Sequence, residues 1–207
     1  MCQDVRDDME ITRLIIVAVG GQGNLLASKV LGEAACRLGV PVRMSEIHGM
    51  AQRGGVVESA MVFGDARSTI ISDAEADVLL SFEPLEALRA LKKCSRETVV
   101  ITNTAPLPPF TASIGKGTYP EVEEMLARLE AKVGRLVAFD AAELAAESGN
   151  ALSVNMVLLG ALIEAAVLPV TAASVQEAIA GTTKKAFLKS NQKAFDLGRQ
   201  AVRGKAG

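Results

Sequence analysis

The chain has 207 residues, 49% of them hydrophobic and 22% charged, which is typical of one globular α/β domain. Its net charge of −2 and its aromatic content of one Tyr, six Phe and no Trp argue against general nucleic-acid binding, because the chain has no strong cationic field and little aromatic surface for base stacking. Cysteines at positions 2, 36 and 94 and one histidine are too few and too far apart for an iron–sulfur or zinc motif. We therefore expect no metal bound by this chain alone.

Two segments of the sequence bear on the cellular location of the protein, and neither predicts export or membrane insertion. Residues 1–10 carry acids and lack an apolar core, unlike a secretory signal. The apolar run at 151–170 is interrupted by Ser153, Asn155 and Glu164, which indicates a buried helix and not a membrane span. We expect a cytoplasmic protein with one domain over residues 1–207, of which 1–11 form a loose tail.

The first half of the chain alternates strands with helices. Residues 13–19 (RLIIVAV) form an apolar run that predicts a strand buried on both faces. Apolar residues then recur every fourth position from Leu26 to Leu38, which predicts a helix packed on the sheet. A strand at 42–45 completes a β-α-β unit. Further strands are predicted at 56–63 and 77–82, and a helix at 84–92.

The second half continues the pattern and ends in helices. Strands are predicted at 98–102 and 136–139, and helices at 121–132, 151–167, 172–180 and 184–200. Asp140 is placed to cap the helix after the last strand, with Glu143 at its third position. A proline- and glycine-rich loop at 106–117 projects from the core. The fold class predicted is a three-layer α/β/α Rossmann-like sandwich with a mostly parallel sheet and a helical C-terminal part.

A glycine turn lies where the first strand meets the first helix. Gly20, Gly21, Gln22 and Gly23 are candidate binding residues, because glycines admit a ligand to the backbone and a helix start attracts anions. The dinucleotide fingerprint G-x-G-x-x-G is incomplete, since Leu26 stands at its third glycine. The alternative is a tight turn that only packs the helix on the sheet.

Residues 45–55 (SEIHGMAQRGG) follow a strand and collect several reactive groups. Ser45 and Glu46 are candidates at the strand end, where Glu46 could imitate a ribose-binding acid. His48 is a candidate proton shuttle, and Arg53 a candidate for binding a carboxylate or phosphate. The alternative is a glycine-rich loop whose polar groups bond to each other or to a neighbouring subunit.

Ser81, Glu83 and Asn103 end the next two strands at the same edge of the predicted sheet. We expect them to line one concave anion site together with the glycine turn and residues 45–53, because parallel strands end at one edge. Each also suits a role as a helix cap or turn former. Asn155, within an apolar helix, is expected to be a hydrogen-bonded core amide.

Four segments in this order carry a resemblance to a known family. They are residues 20–23 (GGQG), 46–50 (EIHGM) with Gln52 and Arg53, 80–88 (LSFEPLEAL), and Gly149-Asn150 with 155–161 (NMVLLGA). The chain resembles the gamma-type subunits of 2-oxoacid:ferredoxin oxidoreductases, and within them the branch acting on indolepyruvate. The resemblance covers nearly the whole chain from about Thr12.

The resemblance implies a division of labour between two subunits. A larger alpha subunit would bind thiamine diphosphate, magnesium and [4Fe-4S] clusters, and the complex would convert an aryl-2-oxoacid to an acyl-CoA while reducing ferredoxin. The small subunit would border the active site or the coenzyme A path, so the candidate residues above become a coenzyme A edge. Two rival hypotheses are a free-standing dinucleotide-binding oxidoreductase, which the glycine turn and Glu46 favour, and a scaffold without a ligand.

Overall fold

A computed structural model describes residues 10–49, 55–108 and 118–203, apart from the side chain of His48. Within these ranges the chain forms one six-stranded sheet and seven α-helices. The strands are β1 (Thr12–Val19), β2 (Val42–His48), β3 (Val56–Phe63), β4 (Ala76–Ser81), β5 (Cys94–Asn103) and β6 (Arg135–Phe139). The helices are α1 (Asn24–Arg37), α2 (Pro84–Ala90), α3 (Val122–Glu130), α4 (Ala141–Glu147), α5 (Val154–Glu164), α6 (Ala172–Thr182) and α7 (Lys185–Arg203). Short 3₁₀ turns cover Leu91–Lys93 and Ala151–Ser153.

The strand order is β2-β3-β1-β4-β5-β6. β3 runs antiparallel to both of its neighbours, and the remaining pairs, β1 with β4, β4 with β5 and β5 with β6, are parallel. Because β1 and β2 both oppose β3, they point the same way, and α1 connects them as the predicted β-α-β unit. β3 inserts between the two strands of that unit. The α/β class and the mostly parallel strand direction are confirmed.

Three predicted boundaries were wrong in ways that affect the site. β2 continues beyond the predicted 42–45 to His48, because Glu46 and Ile47 pair with Ser59 and Glu58 of β3. The strand predicted at 98–102 begins at Cys94. The helix predicted over 151–167 starts as a 3₁₀ turn and ends at Glu164, two residues before Ala166, whose φ is +55°. Glu46 therefore belongs to the same strand as Ser45 and not to the loop that follows it.

Helices cover both faces of the sheet. One apolar cluster joins α1 and α4–α7 to residues such as Ile16 and Leu80, and a second joins the residues beside α2 and α3 to Ile15 and Leu79. Alternate residues of one strand thus enter opposite cores, as buried parallel strands require. This arrangement is the predicted three-layer sandwich.

The C-terminal helices α5 and α7 cross with their backbones in contact. A Cβ on Gly160 would overlap the Phe195 carbonyl, and a Cβ on Gly198 would overlap the Val157 carbonyl. Only glycine permits this close approach, because any other residue would push the helices apart. The crossing fixes the start of α7 against the 3₁₀ turn Ala151–Ser153, where a groove described below is formed.

Candidate functional site

The glycine turn and the ends of β4 and β5 meet at one edge of the sheet, which we call the carboxyl edge (residues 20–23, 81–83 and 103). The Phe82 carbonyl accepts hydrogen bonds from Gln22 Nε2 at 3.2 Å and from Asn103 Nδ2 at 3.1 Å. The Phe82 amide donates to the Val17 carbonyl at 2.9 Å. The structure therefore brings these three predicted segments together, as the sheet topology requires.

Side chains of the chain itself fill part of the glycine turn. Gln22 folds back so that its Oε1 accepts a hydrogen bond from the Val19 amide at 2.8 Å. Asn155 of α5 covers Gly23: its Nδ2 donates to the Gly23 carbonyl at 3.3 Å and would lie 2.7 Å from a Cβ placed there. A Cβ on Gly21 would meet nothing within 4 Å. Of these two glycines, Gly21 is therefore the one with open space beside it among the described residues.

Asn24 fixes the start of α1 on the sheet. This buried side chain donates from Nδ2 to the Val57 carbonyl at 3.2 Å, and its Oδ1 accepts from the hydroxyls of Ser59 at 3.1 Å and Ser28 at 3.3 Å. The N-cap of α1 is Gly23, and no side chain caps the helix. The first amides of α1 therefore keep the capacity to bind an anion.

Glu83 is a buried junction of three hydrogen bonds and is only 1% exposed. Its Oε2 accepts from the Glu86 amide at 3.0 Å and so caps α2, the role that the sequence offered as the alternative to ligand binding. Its Oε1 accepts from the Leu107 amide at 3.2 Å and from the Tyr119 hydroxyl. Burial, followed by the bond to Glu83, raises the pKa of the Tyr119 phenol. Glu83 thus anchors both described ends of the proline-rich loop.

The side chains of Ser81 and Asn103 also form hydrogen bonds within the chain. The Ser81 hydroxyl donates to the Glu83 carbonyl at 2.7 Å. Asn103 Oδ1 accepts from the amides of Ala105 at 3.2 Å and Ala141 at 2.9 Å, which joins the end of β5 to the start of α4. All these groups are buried. Their predicted contact with a ligand stays a prediction, whereas their role as turn formers is evident in the geometry.

Glu86 lies beside Glu83, and only one of its two carboxylate oxygens forms a hydrogen bond with a described residue. Oε1 accepts from Arg89 Nη1 at 2.6 Å, and Oε2 has no hydrogen-bond partner among the described residues. Burial raises the pKa of the Glu86 carboxyl, the Glu83 charge adds to the rise, and Arg89 opposes it. A buried carboxylate of this kind destabilises the fold when it is ionised.

Ser45 and Glu46 do not join the carboxyl edge as predicted. They lie within β2, where they pair with Ala60 and Ser59 and project to opposite faces of the sheet. β3 and β1 separate β2 from β4, and three strand spacings amount to about 14 Å, so Glu46 does not face Glu83. The one concave site expected from all the strand ends is therefore wrong in its extent.

The backbone of His48 ends β2, but its side chain and the whole of Arg53 lie outside the described residues. The segment that carries them begins at the end of β2, beside β3, and ends next to the glycine turn. The Gly49 amide donates to the Val56 carbonyl, and the Gly20 amide to the Gly55 carbonyl, both at 2.8 Å. The predicted roles of His48 and Arg53 stay predictions.

A cavity of about 330 Å³ adjoins the covered side of the glycine turn. Its lining comes from α1, the 3₁₀ turn Ala151–Ser153, α5, and the junction of α6 with α7: Leu26, Asn150, Leu152, Asn155, Thr182, Thr183, Lys184, Phe187 and Asn191. Asn155 borders both the cavity and Gly23. Sequence reasoning did not include Asn150 or Asn155 among the site residues, although an amide inside an apolar helix was a signal for the second.

The described residues form no metal site. Over 10–49, 55–108 and 118–203, no three His, Cys, Asp or Glu side chains are grouped to hold a metal ion. Burial raises the pKa of the Cys94 thiol to about 11, so it is not a thiolate at neutral pH. No helix in the described part of the chain is long and apolar enough to cross a membrane.

Comparisons with known proteins identify relatives of this chain. The family model described as "Pyruvate ferredoxin/flavodoxin oxidoreductase" matches residues 13–201. Indolepyruvate oxidoreductase subunit IorB of Pyrococcus horikoshii is 42% identical over 94% of this chain and 98% of its own length. The subunit of the same name from Methanothermobacter thermautotrophicus is 41% identical over 88% of this chain and 93% of its own length.

The fold has solved relatives as well. The gamma subunit of a keto/oxoacid ferredoxin oxidoreductase from Geobacter sulfurreducens superposes with a TM-score of 0.69. The match covers 93% of this chain and 99% of that one, at 20% identity. At this identity the likeness shows a shared fold.

Proposed function

Because this chain belongs to the pyruvate ferredoxin/flavodoxin oxidoreductase family, we propose that it is the small subunit of a heteromeric indolepyruvate:ferredoxin oxidoreductase. The observation that carries the proposal is the similarity, over nearly the full length, to subunits whose names specify indolepyruvate. The complex would decarboxylate an aryl-2-oxoacid oxidatively, transfer the acyl group to coenzyme A and pass electrons to ferredoxin, in the cytoplasm.

We assign thiamine diphosphate, magnesium and the [4Fe-4S] clusters to a larger alpha subunit. A [4Fe-4S] cluster takes four thiolates, and this chain has three cysteines, at positions 2, 36 and 94. Thiamine diphosphate supplies the carbanion chemistry of the reaction when it is bound. The contribution of the small subunit is then structural, through the surfaces that it presents to its partner and to coenzyme A.

Within this chain, the open side of the glycine turn is the part best suited to an anionic group of coenzyme A. The uncapped start of α1 offers backbone amides, and Gly21 leaves space beside them. Gln22 and Asn103 both donate to the Phe82 carbonyl beside this turn, and Ser81 donates to the adjacent Glu83 carbonyl. Ser45 and Glu46 lie apart from it, and His48 and Arg53 are proposed to border it through the segment between Gly49 and Gly55.

The rival hypothesis of a free-standing dinucleotide enzyme has weaker support. Leu26 replaces the third glycine of the fingerprint, and Asn155 covers Gly23, where a pyrophosphate would approach the backbone. Binding of a nicotinamide cofactor by the isolated chain, measured by fluorescence titration, would revive this hypothesis. We expect no saturable binding.

Reconstitution of activity tests the proposal. The chain and the larger subunit are purified separately and assayed alone and together with indolepyruvate, coenzyme A and an electron acceptor. We expect turnover only when both chains are present, together with co-elution of the two. Turnover by this chain alone, or failure of the chains to associate, would contradict the proposal.

A further inference from the structure

Two adjoining cavities form a groove between the 3₁₀ turn Ala151–Ser153 and the start of α7. The cavity of about 330 Å³ described above shares Asn150 and Phe187 with a second cavity of about 430 Å³. Lys184 lines the first cavity, and Lys189 and Lys193 line the second. We call this surface the lysine groove, and it is defined by Asn150, Leu152, Lys184, Phe187, Lys189 and Lys193.

The lysine groove is purely cationic, although the whole chain has a net charge of −2. Residues 178–195 contain four lysines and no acid, and residues 148–163 contain no charged residue at all. Neither Lys184 nor Lys189 forms an ion pair with any described residue, and Lys193 Nζ donates to a backbone carbonyl, that of Glu147, at 2.6 Å. Farther along α7, in contrast, Arg199 and Arg203 both pair with Glu164.

Apolar side chains stand on the rim of the same groove. Leu152 is 83% exposed and Phe187 is 48% exposed. Large apolar side chains of this exposure beside a concave surface are typical of an interface and not of a solvated face. The groove is also preorganised, because Asn150 Oδ1 accepts from the Leu152 amide at 3.2 Å and Asn191 Oδ1 accepts from the Ser153 hydroxyl at 2.7 Å. A partner would therefore bind without first ordering this turn.

We propose that the lysine groove is where this chain docks a segment of its larger partner subunit in which carboxylates flank an apolar side chain. This inference rests on the proposed function, because the larger subunit exists only if that function is correct. Charge complementarity identifies the flanking acids, since three lysines surround the groove with no acid among its lining residues. The exposed Leu152 and Phe187 identify the apolar group, which would fill the smaller cavity. A protein segment fits both features along the length of the groove.

The lysine–carboxylate pairs and the apolar contact should affect different rate constants of binding. Lysine–carboxylate pairs at an interface rim mainly set the association rate and its dependence on salt. A desolvated apolar contact mainly sets the dissociation rate. We therefore expect charge reversal to slow association and flatten its salt dependence, and loss of the apolar contact to speed dissociation.

The test is the affinity of the full-length chain for the purified larger subunit, measured by biolayer interferometry at two salt concentrations. For the double variant Lys184→Glu/Lys189→Glu we expect at least a tenfold weaker complex and a weaker response to salt. Leu152→Asp is expected to weaken the complex at least tenfold, and Leu152→Met to restore most of it. The matched control is Arg128→Glu/Lys132→Glu, an equal charge change at exposed positions on the other face of the sheet, for which we expect less than a twofold effect.

The outcomes separate this inference from the proposed function. If the wild-type chain does not bind the larger subunit, the proposed function fails. If the wild-type chain binds and restores activity while both groove variants bind equally well, the docking surface is refuted and the proposed function stands. Unchanged assembly with a raised KM for coenzyme A in the lysine variant would also refute docking, because the groove would then bind a small anion.

Discussion

The carboxyl edge and the lysine groove lie on either side of Asn155 and differ in how their polar groups are satisfied. At the carboxyl edge, Gln22, Glu83 and Asn103 direct their polar atoms into the chain itself. In the lysine groove, Lys184 and Lys189 are exposed and form no ion pair with any described residue, and the side chains of Leu152 and Phe187 face solvent. The edge contains the sequence motifs, yet most of its side chains build the fold. The groove contains none of the candidate site residues named from the sequence, yet its exposed lysines and apolar side chains are those of a binding surface.

Replacing Asn103 by Ala should have the largest effect on the stability of the fold. The substitution leaves the amides of Ala105 and Ala141 without their acceptor and removes one of the two side-chain donors to the Phe82 carbonyl. We expect a loss of about 3–5 kcal/mol in the free energy of unfolding, measured by urea denaturation. Asn150→Ala, in the groove, removes one bond and should cost about 1 kcal/mol. Equal losses would show that the two regions do not differ.

The glycine turn offers a matched pair that measures how far Asn155 closes it. Gly21→Ala and Gly23→Ala both place a side chain at positive φ, which costs about 1–2 kcal/mol. Only Gly23→Ala also meets Asn155, and we expect a further loss of about 1–2 kcal/mol from overpacking. Thermal or urea unfolding compares the two variants. When Asn155→Ala is added to both variants, the difference between their free energies of unfolding should become smaller. If the difference persists, Asn155 does not cover the turn.

The pH dependence of stability should report the buried carboxyl of Glu86. Its pKa is raised in the folded state, so the folded protein binds the proton more tightly than the unfolded chain does. Stability should therefore fall as pH rises through the range between the unfolded and folded pKa values of this group, from about 4.5 upwards. Glu86→Gln should make the profile flatter in that range in urea titrations. The exposed Glu123→Gln serves as the control, and identical profiles for wild type and Glu86→Gln would contradict the assignment.

The smallest effect on stability is expected at the most exposed apolar residue of the groove. Leu152→Ala removes a side chain that is 83% exposed and should change the free energy of unfolding by less than about 0.5 kcal/mol. Differential scanning calorimetry provides the comparison with Leu162→Ala, a fully buried residue of α5, for which about 2–5 kcal/mol is expected. A large loss at Leu152 would show that the side chain stabilises the fold and is not kept for binding.

Much of the fold could be predicted because local patterns determine it. The apolar run of β1, the helical spacing of α1 and the Asp140 cap, whose Oδ1 accepts from the Glu143 amide at 2.9 Å, all follow from neighbouring residues. The length of β2 could not be predicted, because its last residues are held by pairing with β3. The insertion of β3 between β1 and β2 could not be predicted either, because it depends on tertiary contacts and not on local sequence patterns.

The candidate site was predicted less well for the same reason. That Ser81, Glu83 and Asn103 share an edge followed from the ends of parallel strands, but the direction of each side chain depends on partners distant in sequence. Asn155 contacts Gly23 across 132 positions, and no local pattern indicates this contact. The lysines of α7 were visible in the sequence, but the groove appears only when α7 packs beside the 3₁₀ turn Ala151–Ser153.

Hydrogen exchange of the chain alone and in the active complex tests most directly the claim that one region builds the fold and the other binds the partner. Backbone amides of the 3₁₀ turn Ala151–Ser153 and of residues 184–193 should become more protected when the larger subunit binds. The amides of Phe82 and Glu86 and those at 103–105, already bonded within the chain, should exchange slowly in both states. Gain of protection in the active complex at 82–86 and 103–105, with none at 151–153 or 184–193, would contradict the account.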